Sequence, residues 1–323
     1  MVEKLKRNLL WMIAVAGALY VGFAIYGDYE RVAAAFVAFS WALAPALLGL
    51  AFLNYVARFG KWEYYLRTLG VRLNPRDSFS IFLSGLVMSV SPGKMGEVVK
   101  SYLVKKVNGT PIRKTAPIVF AERFTDFLAL ALVSLVGAFA FGWGRQIAVI
   151  VMIGFLVAVV VVSTPRLAKP LIGITLKLPV VGKYGAQIDA LYENSRELLR
   201  LPHLSAMTLL SVVSWSLECV AYFLALRGFG FEADFFLTTF SYSFAIVLGA
   251  LSMLPGGLGV TEGSLTFLAV RNGCDPNVAV AATFLIRAAT LWFSVVVGVV
   301  AVALYQRRFG KIIIEDKQTE GAV

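Results

Sequence analysis

Ser91-Pro92-Gly93-Lys94-Met95-Gly96-Glu97 breaks one long apolar stretch, and Pro255-Gly256-Gly257-Leu258-Gly259-Val260-Thr261-Glu262 breaks another in the second half of the chain. Each break is followed by an arginine inside the next apolar segment, Arg123 after Glu97 and Arg287 after Glu262. Hydrophobic segments interrupted by Gly and Pro at corresponding places in two halves mark the midplane site of a transporter built from internal repeats.

Around these breaks the chain is 59% hydrophobic and 15% charged, with several uncharged runs near the roughly 20 residues that a helix needs to cross a bilayer. The fold class is therefore all-α, a polytopic membrane protein. Its net charge of +11 falls in short segments between apolar runs, which is the topogenic pattern of membrane loops and argues against nucleic acid as a partner. Two cysteines, Cys219 and Cys274, form neither a disulfide framework nor a metal cluster, and the single histidine, His203, stands before a helix start as a cap or interface residue. Neither a metal nor a cofactor is expected. Leu9 to Ile25, behind Lys4, Lys6 and Arg7, resembles a secretory signal but exceeds its usual apolar length, so a retained anchor is expected.

Six uninterrupted spans are expected: Leu9–Tyr26, Val32–Val56, Ala116–Phe141, Ile147–Val162, Leu204–Leu226 and Val278–Tyr305. The broken stretches, Phe79–Leu103 and Phe235–Val270, are decided by charge. Arg58, Lys61, Arg67, Arg72 and Arg76 precede the first, and Lys105, Lys106, Arg113 and Lys114 follow it, so both flanks read as cytoplasmic and the stretch enters and returns as a re-entrant hairpin. The second, flanked by only Arg227 and Arg271, enters from outside. Both termini are then cytoplasmic in the cell membrane. Span, hairpin, span over residues 32–141 is mirrored over 204–305, an inverted repeat with two oppositely oriented re-entrant hairpins. Aligning Pro92 with Pro255 also superposes Ser78 on Ser241, Ser80 on Ser243, Ser89 on Ser252 and Gly93 on Gly256. Residues 1–305 form one membrane domain, its halves joined by 142–203 with an interfacial amphipathic helix over 184–201, and 306–323 is a cytoplasmic tail.

A charge at the bilayer centre costs at least ~2.5 to 3.5 kcal/mol, so ionisable residues inside spans are functional candidates. Arg287 sits about halfway along its span; it faces substrate, or it is a structural partner for Glu262 or a hairpin carbonyl. Glu122, Arg123 and Asp126 share one helix face, where Arg123 can pair with Asp126. Glu218, deep in its span, is read as protonated or paired with an arginine. The breaks (Pro92, Gly93 and Gly96; Pro255, Gly256, Gly257 and Gly259) free backbone groups that need a wet or protein-lined cavity. Helix-end amides, Lys94 and the arginines would favour an anion such as phosphate, with Glu97 and Glu262 fixing the arginines or carrying a proton. The alternative is that the glycines only permit close helix packing. Gly256-Gly257-Leu258-Gly259 follows a helical run rather than a strand, so it is not a dinucleotide loop, and with a single histidine, placed before a helix start, a hydrolase triad has no support. Catalytic residues are not expected.

These residues together resemble the lysylphosphatidylglycerol synthase transmembrane domain family, also described as flippase-like integral membrane proteins. The resemblance rests on Ser91 to Glu97, on Glu122-Arg123-Phe124-Thr125-Asp126, on Pro255 to Gly263 and on Arg287. It implies that the chain moves a lipid between leaflets. In fused members a separate soluble domain attaches the amino acid, and no stretch of these residues corresponds to it. Lys94, Glu97, Glu122, Arg123, Asp126, Glu262 and Arg287 match the family's polar motifs and would be headgroup or gating residues. The implied partners are membrane lipids with anionic headgroups, either phospholipids or polyprenyl-phosphate-linked sugars. Two rivals stand beside this: an enzyme acting on a lipid headgroup with Glu122 or Glu262 as acid or base, and a membrane scaffold.

Overall fold

The computed structural model describes residues 28–92, 94–138 and 201–310, together with 146, 149–150, 153–154, 157, 160–161, 164–175, 192–193 and 195–200. The expected first span, Gly93, most of Ile147–Val162, most of the 184–201 helix and the tail beyond Gly310 lie outside the described residues. Those described are helical, apart from turns and one isolated bridge between Pro92 and Pro255.

The helices are α1 (Tyr29–Ala38), α2 (Ala44–Thr68, entered through a 3-10 turn at Trp41–Leu43), α3 (Pro75–Gly85), α4 (Val99–Asn108), α5 (Ile112–Ala138), α6 (Pro165–Thr175), α7 (Leu201–Gly228), α8 (Phe235–Leu251), α9 (Val260–Arg271), α10 (Pro276–Arg287) and α11 (Phe293–Phe309). Among the described residues three stretches are long and apolar enough to cross a membrane: Trp41–Thr68, Leu201–Gly228 and the continuous Pro276–Phe309. α5 has the length but carries Glu122, Arg123 and Asp126.

The expected span Val32–Val56 is corrected. Asp28 caps α1, which ends at Ala38, and the chain turns at Phe39 and Ser40, where the Ser40 N–H donates to Gly228 O at 3.0 Å. Hydropathy alone missed this turn because Ala, Phe and Val run through it unchanged. The span therefore starts about nine residues later and extends to Thr68, carrying Arg58 and Lys61 inside. At the other end α11 runs to Phe309, so the first residues of the expected tail, Gln306 to Phe309, are helical.

Local chemistry repeats in the two halves. α2 ends in Leu69-Gly70-Val71, with Gly70 at φ 65° and Val71 N–H donating to Leu66 O; α7 ends in Phe229-Gly230-Phe231, with Gly230 at φ 81° and Phe231 N–H donating to Leu226 O. Both are Schellman stops that need a left-handed residue, which glycine adopts without a Cβ clash. Each is followed by an Asn or Asp cap, Asn74 on α3 and Asp234 on α8.

α2 and α7 pack antiparallel through the middle of the molecule. Phe39, Asn54, Lys61 and Tyr64 meet Gly228, Ser214, Ser211 and His203 in reverse order. His203 is an interface residue, 2.7 Å from the Tyr64 hydroxyl. The halves also exchange partners. α5 of the first lies on α8 of the second, with Gly137 against Phe236 and Phe240 and Ser134 bonded to Ser243; α11 of the second lies on α3 of the first, with Gly298 against Leu86 and Val87 and Arg308 paired to Asp77. Such small residues let helices approach where lipid supplies no hydrophobic drive for association.

Two core clusters result. One gathers Trp62, Tyr65, Phe82, Leu103 and Tyr305 with Leu198 and Leu199; the other gathers Trp215, Tyr222, Tyr242, Leu265 and Ala282. A small cluster of Val90, Leu258, Leu291 and Val295 seals the place where the breaks meet.

Candidate functional site: a cationic cavity at the meeting of two helix breaks

The first break is built as α3, a 3-10 turn over Leu86–Val90, the open residues around Pro92, a second 3-10 turn over Met95–Val98, then α4. α3 and α4 pack on each other, as do α8 and α9 on either side of the second break. Asn54 and Ser214, 160 positions apart and equivalent by the Schellman stops, bond to each other: Asn54 Nδ2 donates to Ser214 O at 2.9 Å and to Ser214 Oγ at 2.8 Å. Pro92 likewise pairs with Pro255. Both contacts join residues that stand at matching places in the first and second parts of the chain.

Beside the Pro92–Pro255 bridge is a cavity of about 310 Å³, lined from both halves by Arg58, Lys94, Arg123, Asp126, Glu218 and Arg287 among others. Its remaining wall is aromatic and aliphatic, including Phe120, Phe124, Phe127, Ile246 and Leu254. Phe120, Met253 and Leu254 also reach the protein surface, being 37%, 57% and 44% exposed, so the cavity edge between α5 and α8 borders the apolar exterior.

The charges beneath it form a connected network. Arg58 donates to Glu97 at 3.1 Å; Lys100 bridges Glu97 at 3.2 Å and Glu122 at 2.7 Å; Lys61 holds Asp126 at 2.5 Å and Ser211 Oγ at 2.7 Å; Arg123 reaches Asp126 at 3.1 Å and Glu97 at 3.7 Å. Lys100 also stacks its ammonium over Trp62 and Phe82. Its stem passes where Gly85 has no side chain, since a Cβ there would lie 2.5 Å from Lys100 Cγ. Burying charges is tolerable only with such pairing, although Arg123 Nε and Glu122 Oε1 stay buried without a hydrogen bond, and removing one partner from a buried pair costs about 3 to 5 kcal/mol.

In the second half the arrangement is tighter. Glu262 accepts from the Gly259 N–H at 2.7 Å at the start of α9 and from Arg287 Nε at 2.6 Å, while Arg287 also donates to Gly256 O at 2.6 Å. The structural alternative for Arg287, a partner for Glu262 and for a hairpin carbonyl, is the arrangement found, and Arg287 still borders the cavity. A π-helical turn follows at Ala288–Trp292, within which Thr290 O accepts from the Tyr55 hydroxyl at 2.7 Å. Single π turns of this kind recur at functional sites.

Of the described amides at the breaks, five are bonded within the turns and offer no open anion cradle: Gly257, Leu258, Gly259 and Thr261 N–H donate to Leu254 O, Pro255 O, Glu262 and Gly257 O, and Gly96 N–H donates to Ser91 Oγ. Tight turns consume their own donors, so side chains carry the positive potential. Six cations (Arg58, Lys61, Lys94, Lys100, Arg123, Arg287) face five carboxylates (Glu97, Glu122, Asp126, Glu218, Glu262). Lys94 is the odd cation. Among the described residues no carboxylate lies within ion-pairing distance of it, and its ammonium rests 5.5 Å over the Trp215 ring.

The site thus gathers Glu97, Glu122, Arg123 and Asp126 into one network and Glu262 with Arg287 into a second, with Lys94 at the cavity outside both. Sequence reasoning missed Arg58, Lys61 and Lys100. The first two were read as loop charges, yet Asn54, Arg58, Lys61 and Tyr65 follow i, i+4, i+7, i+11 and share one buried helix face. Lys100 had no such signal, because α4 is short and polar overall.

A helical, multi-pass membrane protein with a buried charged cavity is the class that this architecture defines. Its residues 9–298 match the family model described as the lysylphosphatidylglycerol synthase TM region, and the chain belongs to that family. It is similar to a UPF0104 membrane protein of Methanothermobacter thermautotrophicus, 24% identical over 94% of this chain and 95% of that protein. A UPF0104 membrane protein of Methanocaldococcus jannaschii is 22% identical over 70% of this chain and 96% of its own length.

Proposed function

We propose that the chain is a non-catalytic transporter that moves an anionic lipid between the leaflets of the cell membrane. The two broken stretches act as re-entrant hairpins from opposite sides, beside six full spans. Their arms, about 18 to 26 Å long at 1.5 to 2.0 Å per residue, match half of a bilayer roughly 40 to 45 Å thick including headgroups. In an inverted repeat the two-fold axis lies in the membrane plane, so the Pro92–Pro255 bridge and the cavity fall at mid-depth. Arg67, Arg72, Arg76, Lys105, Lys106, Arg307 and Arg308 gather at one end of the helices, where Arg308 pairs with Asp77 and Lys106 reaches Gly310. By the positive-inside rule that end is cytoplasmic, which puts both termini inside.

Lys94 carries this reading. It is a cation at the cavity, and among the described residues no carboxylate pairs with it. Its backbone is left-handed at φ 55°, where its counterpart in the second half, Gly257, has φ 68°. A lysine held where glycine is the easier residue is there for its side chain. The headgroup phosphate meets Lys94, Arg123 and Arg58, while the acyl or prenyl chain leaves between α5 and α8 past Phe120 and Leu254. Access alternates as one half moves against the other.

The test is leaflet exchange in liposomes containing the purified protein and fluorescent anionic lipids of several headgroups, with mass spectrometry of the lipids alongside. Wild type accelerates exchange of at least one without altering its mass, and Lys94→Gln, checked for native melting, lowers that rate tenfold or more. Product formation, or equal rates in wild type and variant, overturns the reading.

A further inference from the structure

Glu218 stands apart from both ion networks. It comes from the middle of α7, is 7% exposed and lines the cavity. It accepts from the Tyr242 hydroxyl at 2.6 Å, and among the described residues no cation comes within ion-pairing distance. The spacing that equates Asn54 with Ser214 puts Glu218 at the place of Arg58, so the cavity has a carboxylate where the other half supplies a guanidinium.

The groups facing it come from every element around the cavity. α2 contributes Tyr55 and Arg58, the first break Lys94, α8 Tyr242 and α10 Arg287. Arg123 and Asp126 of α5 border the same space. Arg58 is engaged by Glu97 and Arg287 by Glu262, so Lys94 is the cation whose position a charge on Glu218 can change.

We propose that Glu218 is a proton-binding site that couples headgroup binding to proton uptake. As a carboxylate, Glu218 competes with an incoming phosphate for Lys94 and repels it as a like charge. When one proton is transferred from water to the carboxylate, that repulsion ends and Lys94 is left to the phosphate. Linkage is reciprocal: an anion that binds better to the protonated form raises the proton affinity of Glu218 by the same factor. Anion binding then takes up one proton and strengthens as pH falls, by at most about tenfold per pH unit within the window set by the free and bound forms. This rests on the cavity being a headgroup site, as proposed above.

Two measurements on the full chain decide it. Infrared difference spectra of the protein in liposomes, recorded as pH is lowered, should show a protonated-carboxyl band that Glu218→Gln removes. Its absence, or its persistence in the variant, overturns the proposal whether or not any lipid is moved. Calorimetric titration with dihexanoyl phosphatidylglycerol in two buffers of different ionisation heat should give about one proton more taken up by wild type than by Glu218→Gln. The variant's affinity should depend on pH less steeply than that of wild type and equal it at low pH. Unchanged proton uptake in the variant, or loss of amine-bearing lipids alone, overturns coupling and makes Glu218 a headgroup contact. If the band titrates but no lipid is exchanged, the transport reading fails while the proton site stands.

Discussion

Pro92 and Pro255 pair with each other across an antiparallel bridge, each the counterpart of the other in its half of the chain. Proline has no N–H, so neither residue donates to the bridge, and the small apolar cluster of Val90, Leu258, Leu291 and Val295 supports the junction. The two helix breaks are thereby one structural unit, and the charges that follow each break are delivered to the same cavity.

Backbone strain at Lys94 separates stability from transport. A left-handed L-residue costs about 1 to 2 kcal/mol, partly offset by glycine's larger unfolded-state entropy of about 0.5 to 1 kcal/mol. Lys94→Gly should therefore leave thermal stability unchanged or raise it by up to about 1 kcal/mol, read by tryptophan fluorescence, while exchange falls as in Lys94→Gln. A destabilised variant would show that the Trp215 contact, not the strain, dominates.

The Arg287–Glu262 lock should show strong coupling in a double-mutant cycle. Either single replacement, Arg287→Met or Glu262→Gln, leaves a buried partner and should cost about 3 to 5 kcal/mol. The double variant should cost less than the sum by about 0.5 to 3 kcal/mol. Additive losses would mean that the pair contributes through separate contacts.

Two glycines predict opposite signs. At Gly298 a Cβ would fall 2.9 Å from Leu86 C, on the backbone of α3's extension, so Gly298→Ala should destabilise by about 1 to 3 kcal/mol. At Gly49, inside α2, a Cβ meets nothing within 4 Å, and Gly49→Ala should stabilise by up to about 1 kcal/mol. Chemical melting of both variants in one detergent is the comparison.

Orientation is testable by thiol labelling. Cys274 is 3% exposed and its thiol is pushed up to about 12 by burial and the neighbouring Asp275 charge, so it should stay silent. Asn108→Cys should react with an impermeant maleimide only from the cytoplasmic side and Glu232→Cys only from outside. Labelling of both from one side would overturn the inverted arrangement.

The breaks, the paired glutamate and arginine of each half, and the Glu122–Arg123–Asp126 face were all legible, because Pro, Gly and intramembrane charge are conspicuous in an apolar sequence. Arg58 and Lys61 were not, since a charge near the end of an apolar run looks the same whether it tops a helix or lies buried along it. The turn at Phe39 and Ser40 was equally hidden, since one serine among apolar neighbours does not interrupt a hydrophobic run.

By itself the sequence determined that the chain is a helical membrane protein with two Gly-Pro breaks beside intramembrane charge, because apolar run length and the placing of Gly, Pro and charge act locally. Only the tertiary structure decided which cations are paired. Pairing depends on α2, α4 and α5 converging from distant parts of the chain, and that convergence leaves Lys94 and Glu218 outside the ion pairs at one cavity.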